Sequence, residues 1–168
     1  GTFQKGMAEE GGRALADKLL DVIALHDASN IAAVIVEPFS GSAGVVIPPK
    51  GYLERIREIC TQNHILLIFD EVITAFGRCG TWTGSEAFGV TPDILNFAKQ
   101  VTNGAQPVGG VVASKDIYDT FMAQGGPGTP AKSTEAQGKD NGFATRAQGA
   151  LEKLESPTPS GTVADDLA

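Results

Sequence analysis

The stretch Ile65-Leu66-Leu67-Ile68-Phe69-Asp70 reads as a strand buried on both faces that ends on a carboxylate. Five consecutive apolar residues leave no polar face for water, which is the pattern of a strand inside a parallel sheet covered on both sides. A second run, Ile94-Leu95-Asn96-Phe97-Ala98, ends on Lys99 in the same way. In open α/β sheets, ligands bind beyond the C-terminal ends of the strands. Two such strands would therefore deliver a carboxylate and an amine to one end of one sheet. An Asp after a strand is also a common cap or turn former, and a Lys there is commonly solvated, so the flanking residues must decide.

Outward from this pair the chain alternates in the α/β manner. Leu15, Leu19, Val22 and Ile23 form an apolar helical stripe, and Leu53, Ile56, Ile59 and Cys60 form another. Ile31 to Val36 reads as a short buried strand, and Val108 to Ala113 as a later one. Lys115 to Met122 starts a helix. Asn103-Gly104 and Gly109-Gly110 supply residues that tolerate unusual backbone angles, as turns after the lysine require. His26 and His64 sit near predicted helix ends, where a cationic or polar side chain is favourable without any ligand role.

Composition excludes several classes. The formal charge is −7, with 20 acidic and 13 basic residues. No Lys/Arg block interleaves with aromatic residues, so nucleic acid is not an expected partner. No apolar run reaches membrane-spanning length, and the N-terminus has no signal-peptide pattern. Cys60 and Cys79 form no metal or redox motif and read as thiols, so no metal is expected and a cytoplasmic, reducing setting fits. The chain divides sharply in content. Residues 1–122 hold 44 large apolar residues, enough for a core, whereas residues 123–168 hold five, together with seven Gly and four Pro. The second segment buries too little surface to offset chain entropy and is expected to be disordered.

The residues around Asp70 carry a more specific signal. Ile68-Phe69-Asp70-Glu71-Val72-Ile73-Thr74-Ala75-Phe76-Gly77-Arg78 resembles the segment around the cofactor aspartate of class III aminotransferases, which are fold-type I pyridoxal 5'-phosphate (PLP) enzymes. Val36-Glu37-Pro38, followed by Gly41 and Gly44, resembles that family's Glu-Pro turn. Pro48-Pro49-Lys50-Gly51-Tyr52-Leu53 resembles the entry to its next helix. Thr91-Pro92-Asp93-Ile94, Ala98-Lys99 and Asn103-Gly104 resemble the segment of its Schiff-base lysine. Ile73, where many members have Gln, together with Lys99-Gln100-Val101-Thr102-Asn103-Gly104, is most similar to the ω-amino acid:pyruvate branch, which includes β-alanine:pyruvate transaminases. The resemblance covers roughly residues 1–122. It implies part of a large PLP-binding α/β domain, a mostly parallel sheet flanked by helices.

Roles follow from the resemblance. Lys99 would form a Schiff base with the cofactor aldehyde and then move a proton at the substrate Cα, with burial and nearby positive charge lowering its pKa. Asp70 would keep the pyridine nitrogen protonated. Val72 would pack against the ring, on the same side as Asp70 if the backbone stays extended there. An ordinary core valine is the alternative. Glu37 would line the active-site edge and pair with a mobile arginine, or would accept backbone hydrogen bonds at a strand end. Glu71 is expected to make structural hydrogen bonds. Arg78, Trp82, Glu86 and Phe88 fall in a region that lies, in the family, near the dimer interface and site entrance; an ordinary polar loop with one anchoring aromatic is the other reading. The implied reaction is transfer of an amino group from an ω-amino acid or amine to pyruvate, by a homodimer or higher oligomer. Its rivals are a related class III enzyme such as an aminomutase, or a non-catalytic fragment that associates through the dimer surface.

Two features depart from the pattern. Relatives hold the cofactor phosphate at a helix N-terminus upstream of the region matched here, an arrangement favourable for an anion. The 168-residue chain alone is therefore expected to be inactive. The match also stops where Gly126-Pro127-Gly128-Thr129-Pro130 begins. Relatives can carry a Gly-Pro-Glu-His-like stretch there, whose codons in another frame can give Pro-Gly-Thr-Pro. A frameshift is the expectation for the tail, with a recombinant or natural divergent end as the alternative.

Overall fold

The computed structural model describes residues 9–126. The tail from residue 127 onward, including almost all of the segment expected to be disordered, lies outside the described residues.

Four strands form one mixed sheet in the order β1-β2-β3-β4: β1 (Ala33–Val36), β2 (Leu66–Asp70), β3 (Ile94–Phe97) and β4 (Gly110–Ala113). The first three pair in parallel, and β4 pairs antiparallel with β3. Helices α1 (Glu9–Ala16), α2 (Lys18–His26) and α3 (Tyr52–Gln62) precede β2. A short helix α4 (Gly84–Phe88) follows it, and α5 (Lys115–Ala123) follows β4.

β2 is the spine of the sheet, as its apolar run predicts. Alternation along a strand sends successive side chains to opposite faces. Ile65, Leu67 and Phe69 enter one cluster with Ala16, Ile23, Leu53, Ile56, Ile59 and Cys60 from α1 to α3. Leu66 and Ile68 enter a second with Ile94 and Ile117, the latter from α5. The predicted stripe on α3 is fully buried. The first stripe is corrected in two respects. A tight turn at Asp17 splits it into α1 and α2, where Leu20 N–H bonds the Asp17 carbonyl at 2.9 Å. Val22 points outward and is exposed, leaving Ile23 as the buried residue. Asp17 is held there by the Arg55 guanidinium, Nε to Oδ1 2.7 Å.

Coverage on both faces holds for β2 but not for its neighbours. Ile35 on β1 and Val111 and Val112 on β4 are exposed. On the α5 face, Ile117 packs with Leu66, Ile68 and Ile94, and of the outer strand β1 Ala33 joins this cluster while Ile35 stays exposed. Asp93 ties the N-terminal end of the sheet together. Its Oδ2 accepts from Leu67 N–H and from Arg57, both at 2.7 Å. Its backbone pairs with Leu67 O and Ser114 N–H. Among the described residues no helix is long and apolar enough to cross a membrane.

Candidate active site

Asp70 is the last residue of β2 and pairs in register with Asn96 on β3. Lys99 lies three positions beyond Asn96, at the start of a 3-10 turn, Lys99–Thr102. Parallel pairing thus brings both residues to the same end of the sheet, as the two apolar runs imply. Asp70 is half-buried, and its Oδ1 accepts from Val72 N–H at 3.1 Å. This is an Asx-type turn, so the turn-former reading of Asp70 is realised in one oxygen. Its Oδ2 accepts no hydrogen bond among the described residues, which leaves it available to a ligand.

Lys99 departs from expectation. It is exposed rather than buried. Its backbone is left-handed, with φ of 48°. Side chains other than Gly rarely adopt that region, because Cβ crowds the carbonyl that follows. Asn103 (φ 51°) and Gly104 (φ 80°) then reverse the chain through the same region, as their residue types predict. Gly109 and Gly110 serve a different purpose from the one expected. They have no positive φ, but a Cβ on Gly110 would meet the Phe97 ring at 2.6 Å. The glycine admits that ring beside β4.

The chain turns immediately after Asp70, so the extended backbone assumed for Val72 is absent. Glu71 N–H still bonds Asn96 O at 2.9 Å, but Ala75 N–H already bonds Glu71 O, as in a helical turn. Val72 is half-buried within that turn, and strand alternation does not place it beside Asp70.

Glu71 is fully buried and structural, as expected. Its oxygens accept from the N–H groups of Gly84 and of Ser85 (2.7 Å), and from the Thr74 hydroxyl (3.3 Å). It therefore supplies acceptors to the first N–H groups of α4, which have no partner inside their helix. Thr83 caps the same helix, its Oγ1 accepting from Glu86 N–H. Gly84 fits only as glycine, since a Cβ there would lie 2.9 Å from Thr74 Oγ1 and 3.0 Å from Pro38 Cγ. The Thr83-Gly84-Ser85-Glu86 spacing is that of a capping box and was a signal present in the sequence. Glu71 as a second acceptor, 13 residues away, had none.

Glu37 Oε2 accepts from Gly41 N–H at 2.9 Å, which realises the backbone-acceptor reading. Gly41 packs on Ile73, where a Cβ would come within 2.8 Å of the isoleucine side chain. Arg78 connects two loops. Its Nε donates to Ile73 O (3.1 Å) and its NH2 to Gln100 Oε1 (3.2 Å). Phe76 and Phe97 meet edge to face, with centroids 5.4 Å apart. Trp82 is 76 % exposed and so does not anchor its loop. That loop is held by its backbone, Phe76 N–H to Trp82 O (2.7 Å) and Gly77 N–H to Thr81 O (3.0 Å). Burial pushes the Cys60 thiol up to about 11 and also raises Cys79. Both are free thiols, and neither is activated as a nucleophile.

The family described as Aminotransferase class-III matches residues 3–132. The chain is 70 % identical over 125 residues to a β-alanine–pyruvate aminotransferase of Pseudomonas aeruginosa, covering 74 % of this chain and 28 % of that protein. It is 65 % identical over 125 residues to an ω-amino acid–pyruvate aminotransferase of Pseudomonas putida, with the same coverage. Among solved structures it resembles an (S)-enantioselective ω-transaminase from Thermomicrobium roseum, with TM-score 0.67, 36 % identity and coverage of 89 % and 34 % of the two chains. It also resembles an ω-transaminase from Pseudomonas jessenii in complex with PMP, with TM-score 0.66, 31 % identity and coverage of 90 % and 34 %. The chain thus spans little more than a quarter of the length of these curated relatives. The family match over residues 3–132 and the identity to these relatives show that the chain belongs to the class III aminotransferases.

Proposed function

We propose that the complete protein carrying this segment transfers an amino group from an ω-amino acid or amine to pyruvate, with PLP as cofactor. The observation that carries this reading is the delivery of Asp70 and Lys99 to one end of the sheet by strands in register. The similarity to enzymes named for ω-amino acids and pyruvate supports the substrate class. Class III aminotransferases are PLP-dependent in general.

The residues present fit the ring end of that cofactor. Lys99 offers an amine with no hydrogen-bond or ion-pair partner among the described residues, and Asp70 offers a carboxylate oxygen equally clear of partners. PLP, when bound, supplies the electron sink for the pair left behind when Cα loses its proton. Lys99 holds the cofactor covalently and moves the proton at the substrate Cα, a general acid–base role. Asp70 holds the proton on the pyridine nitrogen, since a nearby carboxylate favours the charged form of that group. Ring packing by Val72, which lies half-buried within the turn after Asp70, rests on the family resemblance alone. Glu37 Oε1 takes no hydrogen bond among the described residues and is the oxygen we assign to the site edge, where a cation from the rest of the protein can meet it. The family dimer supplies the remaining walls. The buried Cys60 thiol fits a reducing, cytoplasmic setting.

The test is reduction of the cofactor-loaded complete protein with borohydride, followed by peptide mapping. The expected product is a pyridoxyl group on Lys99. Labelling of Lys115 with Lys99 unmodified would overturn the assignment.

A further inference from the structure

Lys99 occupies a disfavoured backbone conformation on an exposed turn, so something outside the turn must hold it. Such a conformation persists only where the surroundings over-determine it. The turn's own bonds are weak or local. Val101 N–H reaches Ala98 O at 3.4 Å, and Asn103 N–H bonds Gln100 O at 3.1 Å. Arg78 reaches the turn from the other loop. Its guanidinium is held at Nε by the Ile73 carbonyl and donates through NH2 to the Gln100 side chain.

We infer that Arg78 is a positioning residue that couples the loop after Asp70 to the turn carrying Lys99, through the amide of Gln100. Three contacts join these segments in series: Glu71 N–H to Asn96 O at the sheet end, Phe76 on Phe97 in the middle, and Arg78 to Gln100 at the tip. The first two fix the strand ends. The third acts on the residue next to Lys99 and opposes rotation of the turn out of the left-handed region. Arg78 touches neither Asp70 nor Lys99 by hydrogen bond, so its effect runs through Gln100. A lysine in its place keeps the charge but lacks the fork that can bond Ile73 and Gln100 together.

This inference rests on the proposed role of Lys99, and the test separates the two. Capture of PLP by the apo form of the complete protein is trapped with borohydride at short times, and the label on the Lys99 peptide is counted. The variants are Arg78→Ala, Arg78→Lys, Gln100→Ala and the double variant Arg78→Ala/Gln100→Ala. Arg78 is exposed, so its removal leaves the core intact, and a thermal melt verifies that. Each single alanine variant is expected to slow capture by about tenfold, the scale of a lost charge-assisted hydrogen bond. The double variant is expected to be no slower than either single one, and Arg78→Lys to fail to rescue. Unchanged capture in Arg78→Ala, full rescue by lysine, or losses that multiply in the double variant would each overturn the coupling. Wild-type protein labelled elsewhere than Lys99 would instead overturn the assignment of the site, and the coupling with it.

Discussion

The two chemical groups of the site stand on unequal supports. Asp70 ends the most deeply buried strand, and the residue after it is a buried glutamate bonded to the start of α4. Lys99 follows a strand of intermediate burial, on an exposed turn with a left-handed backbone. The difference teaches that this segment builds the carboxylate side of the site rigidly and leaves the amine side dependent on loop contacts. On the roles proposed for the two groups, an amine that must leave and re-form a bond in each cycle needs room to move. A carboxylate that only holds a proton does not.

The comparison breaks most directly at Glu71. Glu71→Gln replaces one acceptor oxygen with an NH2 group that faces a backbone N–H, so a buried donor loses its partner. The expected cost is about 2–3 kcal/mol, read as a lower denaturation midpoint. Amide exchange at Gly84 and Ser85 should quicken while exchange in the Lys99–Thr102 turn stays unchanged. Equal loss of protection in both loops would show that the two supports are one unit.

Asp70→Asn sharpens the comparison on the chemical side. The substitution preserves shape and the turn with Val72 but removes the charge that favours a protonated pyridine nitrogen. One pKa unit corresponds to about 1.4 kcal/mol, so proton removal at Cα should slow by about tenfold or more. Single-turnover rates with Cα-deuterated donor should show the loss in that step. Unchanged half-reaction rates with weaker cofactor binding alone would mean that Asp70 only anchors.

The same inequality governs how much was legible in the sequence. β2 and the inward face of α3 could be read because uninterrupted or helically spaced apolar residues leave few alternatives. The strand at β4 could be read as well, but not its antiparallel direction or the exposure of Val111 and Val112, which have the composition of a buried strand and point to opposite faces. Asp70 and Lys99 were placed correctly at one end of the sheet, by strand ends and by resemblance. Their surroundings were read less well. The extended path assumed through Val72 fails because Asp70 itself forms the turn. The left-handed Lys99 and the Arg78–Gln100 contact are tertiary: 22 residues separate that pair, and no local pattern encodes it. Gly110 was read as a turn residue when its role is to clear space for Phe97, which depends on a neighbouring strand.

The smallest expected effect lies far from both loops, in the layer that supports β2. Glu58 accepts from Arg13 (2.9 and 2.6 Å) and from Arg55 (3.0 Å), joining α1 to α3. These guanidinium hydrogen bonds hold its pKa at about 2, below the ordinary 4.5. A carboxyl depressed on folding stabilises the fold fully above its unfolded value, and the contribution fades as pH falls through the folded value. The contribution should therefore be complete above about pH 4.5 and gone below about pH 2. The pair is partly exposed, at 37 % and 41 % for the Arg13 and Glu58 side chains, so solvent and salt screen it and the effect at neutral pH is small. Glu58→Gln should melt slightly lower than the parent at pH 7, and the two melting curves should converge as pH drops through this window. Added salt at pH 7 should narrow the same gap. A gap that persists unchanged at pH 2 would assign the effect to the exchange of a carboxyl for an amide rather than to the carboxylate charge. Because α3 supports the face of β2 opposite Asp70, loss of this ion pair should leave amide protection in the Asp70 and Lys99 loops equal to the parent. A selective loosening of the Asp70 loop would show that its rigidity is borrowed from the helical layer and not built by Glu71.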